Sequence, residues 1–139
     1  MLIDGQPTIV FGTVCTKNRV PWLASDEVHA ILREVWQGAD AWLLGRYVIM
    51  PDHIHFFAGW AGRDISLENW TKYWKSRFSK AYRRPDCRWQ VDHWDTRMRT
   101  VAIYEEKWTY VLNNPLRHGL VTRVEDWPYR GEISQLTWD

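Results

Sequence analysis

The chain has 139 residues, of which 45% are hydrophobic, and a net charge of +1 at neutral pH. This length predicts a single domain over residues 1–139, because typical domains contain about 100–150 residues. No run of about 20 apolar residues is present, which excludes a membrane-spanning helix. The near-zero net charge means that any binding to nucleic acid must depend on local basic patches.

The N-terminal segment and the two cysteines predict a protein of the reducing cytoplasm. The first residues lack the basic stretch and the apolar stretch of a signal peptide, so we expect a cytoplasmic protein. Cys15 and Cys87 lie far apart in the sequence, and we expect two reduced thiols rather than a disulfide. The 11 tryptophans are expected mainly in the core, with a few available to stack on unpaired bases.

Hydrophobic periodicity predicts seven main elements. In chain order they are a strand (8–16), a helix (26–36), two strands joined by a short turn (42–50 and 53–60), a second helix (66–83), a fourth strand (89–99) and a third helix (101–113). Ser25 is the predicted N-cap of the first helix and Gly38 its stop. Pro115 ends the third helix, because a residue that precedes proline avoids helical geometry.

The order of these elements predicts an α+β, ferredoxin-like fold. The first six elements match an antiparallel sheet with helices packed on one face. The third helix and a loop-rich C-terminal tail follow. A fold of this class does not by itself indicate a function.

The second predicted helix combines an apolar side with a basic run. Its apolar side is predicted at helical spacing and consists of Trp70, Trp74, Phe78 and Ala81. Six basic residues with no acidic residue between them are predicted on the opposite face: Lys72, Lys75, Arg77, Lys80, Arg83 and Arg84. Such a face predicts contacts with nucleic-acid phosphates, although an ordinary solvated helix face shows the same pattern.

A histidine pair begins the third predicted strand. His53 and His55 project from the same face, because side chains alternate along a strand, and two such imidazoles can bind one metal ion. We expect the pair where the sheet edge is open, with Met50, Phe56 and Phe57 forming an apolar pocket around it. Taken alone, the short motif also fits a surface histidine pair.

Tyr110 and Asn114 are four residues apart on the third predicted helix and therefore share a face. A phenol with a pKa of about 10 is a poor nucleophile, so attack on a phosphodiester needs a metal that polarises the phosphate. The side-chain oxygen of Asn114 can supply a third, neutral ligand, and this ligand set suits Mg²⁺ or Mn²⁺. Without further support, the two residues also fit an ordinary helix-end tyrosine and an asparagine C-cap.

Three stretches together resemble the single-tyrosine HUH transposases, in particular the REP-associated tyrosine transposases. They are VIMPDHIHFF at positions 48–57, WQVDHWDTRMR at positions 89–99 and YVLNNPLRHGLV at positions 110–121, with DWPYRG following. The first and third stretches are specific only in combination. With the matching element order, the resemblance spans nearly the whole chain.

The resemblance implies a mechanism and a set of partners. His53 and His55 would be the metal pair, Asn114 a third ligand and Tyr110 the nucleophile. The tyrosine would attack single-stranded DNA beside a hairpin, forming a 5′-phosphotyrosine link and a free 3′-hydroxyl that can reverse the step without ATP. The family includes monomers and dimers that share active sites, so a homodimer stays open here.

The second stretch departs from the family at one position. Many relatives carry a histidine where this chain has Thr96. Any auxiliary role of that histidine in the relatives is therefore not expected here. Arg97 and Arg99 remain candidate phosphate contacts, and they fit equally well as solvent-facing charges.

Other enzyme classes fit the sequence less well. A histidine-triad nucleotide hydrolase needs a further histidine where Phe57 stands, a two-histidine phosphodiesterase needs two H-x-[ST] motifs, and a zinc deaminase needs a nearby cysteine pair. The strongest alternative is a catalytically silent relative that binds hairpin DNA or RNA without cutting it.

Overall fold

The computed structural model describes residues 2–3 and 6–138. Its strands are β1 (Leu2–Ile3), β2 (Gln6–Pro7), β3 (Ile9–Thr16), β4 (Trp42–Ile49), β5 (His53–Trp60), β6 (Trp89–Met98) and β7 (Arg130–Glu132). Its helices are α1 (Asp26–Gly38), α2 (Leu67–Tyr82), α3 (Val101–Leu112) and α4 (Asn114–Arg117). Two short 3₁₀ turns, Lys17–Arg19 and Val124–Asp126, lie between these elements.

The main sheet confirms the predicted ferredoxin-like fold. Five strands run in the order β6-β3-β5-β4-β7, and every neighbouring pair is antiparallel. β1 and β2 form a separate two-stranded ribbon, and β7 adds an edge strand in the tail that the sequence predicted as loop. The histidine-bearing strand β5 lies between β3 and β4. The prediction that the pair sits at an open sheet edge is therefore wrong, and the pair lies at one end of a central strand.

One face of the sheet carries α1 and α2. Serine side chains cap both helices, since Ser25 Oγ accepts from the amide of Val28 at 3.1 Å and Ser66 Oγ from that of Asn69 at 3.0 Å. Gly38 is the last residue of α1 rather than the stop after it. The core beneath the helices is rich in aromatic residues and includes Trp36, Tyr47, Phe56, Trp70, Trp74 and Phe78.

One predicted core position is wrong. Ala81 is exposed, because it lines the open groove between α1 and α2 together with Tyr73 and Arg77. The buried stripe of α2 ends with Phe78.

The opposite face of the sheet carries α3. The rings of Phe57 and Tyr104 meet with their centroids 4.6 Å apart, and Trp108 packs beside them. The tail closes over the same face, where the indole N–H of Trp127 donates to the carbonyl of Ile49 at 3.0 Å. Phe57 shares its face with His53 and His55, so α3 covers the side of the sheet from which the histidines project.

The structure also bears on the predictions for the cysteines and for membrane-spanning helices. Cys15 and Cys87 are free thiols. Over residues 2–3 and 6–138, every helix is too short or too polar to cross a lipid bilayer.

Gly12 provides a test of the packing beneath β3. A Cβ at this position would lie 2.5 Å from Cζ of Phe56, whose ring is held by Trp70 and Trp74. We expect Gly12→Ala to lower the free energy of unfolding by about 1–3 kcal/mol, measured by urea denaturation. Gly38→Ala is the matched control, because a Cβ there meets nothing within 4 Å. Equal stability of the two variants would contradict this packing.

Candidate active site

The two histidines lie side by side at the start of β5. Their ring centroids are 4.7 Å apart, and the rings meet edge to face. His53 is buried, with 8% of its surface exposed, and His55 is half-buried. Phe56, which the sequence placed in the same pocket, faces α2 instead, because it alternates with His55 along the strand.

The side chain of Asp52 orients His53. Nδ1 of His53 lies 2.7 Å from Oδ1 of Asp52, and Arg19 donates from Nε to the other carboxylate oxygen at 2.9 Å. A proton on Nδ1 satisfies the carboxylate and leaves Nε2 with its lone pair. A carboxylate that binds the second nitrogen of a histidine is the usual support for a metal-ligating imidazole.

His55 is held in a corresponding way by β3. Its Nδ1 lies 2.9 Å from Oγ1 of Thr13, its cross-strand neighbour. The ring of Phe11 stacks on the imidazole with a centroid distance of 5.3 Å. If Nδ1 donates to Thr13, the Nε2 lone pair of His55 is available, as it is in His53.

The surroundings favour neutral imidazoles. Burial lowers the pKa of His55 to about 3, and the positive charges of His53, Lys107, Arg117 and Arg19 act in the same direction. Burial also lowers the pKa of His53, although Asp52 opposes this shift. Both rings are therefore uncharged at neutral pH, which is the form that ligates metals.

The junction between α3 and α4 holds the tyrosine and the asparagine. Tyr110 is 60% exposed, whereas Asn114 is buried. Arg117 binds both residues, because its Nη2 donates to Oδ1 of Asn114 at 2.8 Å and its Nη1 to the carbonyl of Tyr110 at 2.7 Å. Its guanidinium carbon also lies 3.7 Å from the centroid of the Tyr110 ring. Arg117 thus links the last turn of α3 to the first residue of α4.

A continuous set of contacts joins Tyr110 to the histidines. Nζ of Lys107 lies 5.8 Å from the centroid of the Tyr110 ring and 5.2 Å from that of Phe11. Phe11 in turn stacks on His55. The structure therefore brings the predicted nucleophile to the same side of the sheet as the predicted metal ligands, within one chain.

The histidine pair offers two of the ligands that a divalent ion needs. Within the described part of the chain, no three His, Cys, Asp or Glu side chains come close enough together to form a metal site. A site here would consist of His53, His55 and the neutral Oδ1 of Asn114, which keeps one lone pair beside its bond from Arg117. Two imidazoles and one amide oxygen suit an ion that takes its remaining ligands from a phosphate and water.

The basic run on α2 is divided by the structure. Lys75 is buried, donates from Nζ to the carbonyl of Gln90 at 2.8 Å and has a pKa lowered by burial. Its predicted place on the outer face is therefore wrong. Lys72 pairs with Glu68 at 3.2 Å and Arg84 with Glu27 at 3.0 Å, so these two charges are compensated.

Three members of that run remain exposed without an ion pair to the described residues, namely Arg77, Lys80 and Arg83. On β6, Arg97 pairs in register with Val10 and so projects toward the α1 and α2 side, with its Nε buried. It therefore lies on the face opposite the histidines. Arg99 is exposed just beyond the end of the strand.

Several residues of this site were not predicted. Asp52 and Arg117 lie within the stretches that carry the family resemblance. Lys107 is three residues from Tyr110 on the same helix. The sequence near the predicted site residues could therefore have indicated all three. Thr13 and Arg19 are separated from the histidines by more than 30 residues, and only the strand pairing brings them close.

Comparisons with known proteins agree with the resemblance. No family model matches the chain. The REP-associated tyrosine transposase of Escherichia coli is 28% identical over 126 residues, which covers 86% of this chain and 73% of the relative. A protein named as a candidate REP-associated tyrosine transposase of Haemophilus influenzae is 28% identical over 95 residues, covering 58% of this chain and 53% of that relative.

Solved structures support the fold. A REP-associated tyrosine transposase bound to a REP hairpin matches 94% of this chain and 89% of its own, with a TM-score of 0.77 and 21% identity. A candidate transposase from Deinococcus radiodurans matches 77% of this chain and 90% of its own, with a TM-score of 0.54 and 21% identity. The resemblance to REP-associated tyrosine transposases is thereby confirmed.

The buried histidines predict a loss of stability in acid. Between pH 6.5 and about 3 the unfolded chain binds a proton at His55 that the folded chain does not. Without metal, His55 should not change the free energy of unfolding above pH 6.5. As the pH is lowered from 6.5, His55 should reduce that free energy by about 1.4 kcal/mol per pH unit. Urea denaturation between about pH 6 and pH 4 should therefore show a shallower slope for His55→Gln than for the wild type. Identical slopes would contradict the burial of a neutral imidazole.

Proposed function

We propose that this chain, a homologue of the REP-associated tyrosine transposases, cleaves and rejoins single-stranded DNA beside hairpins with Tyr110 as its nucleophile. The observation that carries the proposal is the set of contacts from Tyr110 through Lys107 and Phe11 to His55. A structural neighbour bound to a REP hairpin supports hairpin DNA as the partner. The bacterial relatives make the cytoplasm, where the chromosome lies, the expected place of action.

The reaction exchanges one ester bond for another. The phenol oxygen of Tyr110 attacks the phosphorus, the bond to the 3′ oxygen breaks, and the phenol proton ends on the released 3′-hydroxyl. A 5′-phosphotyrosine link remains, and a 3′-hydroxyl can attack it to reseal a strand. Because bond energy is retained in the link, the cycle needs no ATP.

The chain's own residues favour an anionic substrate at this place. Tyr110 is exposed, so a phosphate from outside can reach its hydroxyl. Arg117 and Lys107 flank the phenol ring, and Arg19 lies beside His53, so cations are present both at the proposed nucleophile and at the histidine pair. Positive groups aimed at a phosphate stabilise the charge that develops during transfer.

We further propose that His53, His55 and Asn114 hold Mg²⁺ or Mn²⁺ when DNA is bound. The ion would polarise the phosphate oxygens and offset their negative charge. Asp52 and Thr13 keep the imidazoles oriented with Nε2 available. The two imidazoles lie side by side in one chain, whereas a homodimer stays open.

The exposed basic side chains of α2 offer a further surface for the hairpin. Arg77, Lys80 and the C-cap Arg83 are exposed and form no ion pair with the described residues, so they are the members of the predicted run that can contact phosphates, on the α2 side of the sheet opposite the histidines. Arg99 is exposed and stays a candidate as well.

A non-cleaving hairpin-binding protein is the second candidate. One observation favours it: the bond from Arg117 occupies part of the Asn114 oxygen that a metal would use. Covalent attachment to DNA separates the two functions, because only the cleaving protein forms a phosphotyrosine link.

Tyr110→Phe tests the nucleophile. With Mn²⁺ and fluorescent hairpins taken from the DNA that flanks this gene, the wild type should form an adduct that survives denaturing electrophoresis. The variant should form none but bind the same hairpins unchanged, because it lacks only the phenolic oxygen. Tyr73→Phe, an exposed tyrosine on α2, is the matched control and should retain the adduct. A wild type that binds hairpins yet never forms the adduct supports the non-cleaving alternative.

Metal titration tests the proposed ligands. His53→Ala and His55→Ala should each weaken Mn²⁺ binding at least about tenfold, and Asp52→Asn, which removes the support of His53, should weaken it about 10- to 100-fold. Calorimetry on the protein with and without hairpin DNA measures this directly. His93→Ala is the control, since His93 aligns with Val14 on the other face of the sheet. Equal weakening by the control would argue against a site at the pair.

A further inference from the structure

Trp94 is the one tryptophan that the fold leaves exposed. All 11 tryptophans lie in the described part of the chain, and the other 10 are buried or half-buried. Trp94 retains 57% of its surface on β6, an edge strand of the sheet. Within the described residues, its ring stacks on no other ring and its indole N–H has no hydrogen bond. The core therefore does not explain why this position carries a large aromatic side chain.

The strand register places Trp94 beside the candidate active site. Trp94 pairs with Thr13 on β3, and Thr13 pairs with His55 on β5. Paired residues share a face, so the three side chains form a row across three strands, with Trp94 about 10 Å from His55 at two strand spacings. Thr13 lies between them and contacts His55 at 2.9 Å. The row is thus continuous with the place where the phosphate is proposed to lie.

The area around Trp94 is open on this face. Helix α3 covers Phe57 and reaches Phe11 through Lys107, but Thr96, the next residue of β6 on the same face, is exposed. An extended nucleotide chain that leaves the histidine pair across β3 would pass over Thr13 and reach the indole.

We propose that Trp94 stacks on an unpaired base of the DNA strand whose phosphate lies at the histidine pair. This rests on the proposed function and adds a base-binding subsite to it. An indole offers a flat face to any base, and an unpaired base, unlike one inside a duplex, has a face free to receive it. The subsite therefore selects single-stranded DNA next to the cleavage point, largely independently of sequence.

Abasic substitution combined with mutation tests the subsite. In oligonucleotides that carry a hairpin and a single-stranded flank, one nucleotide at a time is replaced by an abasic residue, and affinity is measured by fluorescence anisotropy. Trp94→Ala should weaken binding of the intact oligonucleotide about tenfold, and Trp94→Phe should restore most of the loss. At one flank position, the abasic substitution should weaken wild-type binding by a similar factor and leave Trp94→Ala binding unchanged.

A matched control and the contrary outcomes make the test decisive. Tyr73→Ala removes another exposed aromatic residue, on α2, and should not change the abasic profile. Two results would overturn the subsite: an unchanged affinity of Trp94→Ala, or losses of affinity from the mutation and the abasic substitution that add independently at every position. If the covalent adduct with Tyr110 still forms, such a result leaves the proposed function in place. Conversion of a DNA-free dimer to a monomer by Trp94→Ala overturns it in favour of a protein interface. Failure of the wild type to bind any oligonucleotide overturns the proposed function itself.

Discussion

The pairing of β5 between β3 and β4 determines what each side of the sheet does. Ile54 and Phe56 project into the aromatic core under α1 and α2, where the tryptophans of α2 hold the Phe56 ring. Side-chain alternation then forces His53 and His55 to the other face, beside Phe57 and α3. A slip of one residue would place both imidazoles in the core and the apolar side chains outside. The packing of the core therefore fixes the direction of the candidate ligands, although no core residue belongs to the site.

The electrostatic character of the site follows from this position. Burial keeps the imidazoles neutral, so the pair adds no charge of its own at neutral pH. Arg19, Lys107 and Arg117 surround it, and Asp52, the carboxylate in contact with the pair, is already bonded to Arg19 and His53. The remaining positive potential suits an anion such as a phosphodiester. A carboxylate-rich metal site would instead repel the substrate in the absence of the ion.

The basic helix shows where counting charges along a sequence fails. Lys75 follows Trp74 directly and lies four residues after the buried Thr71, so helical geometry places it on the edge of the apolar stripe. There the ammonium group donates to the carbonyl of Gln90 and lies 5.9 Å from the centroid of the Trp89 ring. Ion pairs with glutamates outside the run neutralise two more members. Glu68 is only four residues before Lys72 and is a local partner, whereas Glu27, the partner of Arg84, is distant in sequence and is brought close only by the fold.

The sequence alone determined the elements, the ferredoxin-like order and the shared face of His53 and His55, because these depend on local periodicity and on turn chemistry. The predicted shared helix face of Tyr110 and Asn114 is wrong, because α3 ends at Leu112 and Asn114 begins α4, where it is buried while Tyr110 is exposed. Only the tertiary structure decided that α3 packs over the histidine side, that β5 is a central strand, and that Thr13 and Trp94 align with His55. These relations come from pairings between residues that are distant along the chain. Such pairings are selected by the packing of the whole core, which local patterns do not specify.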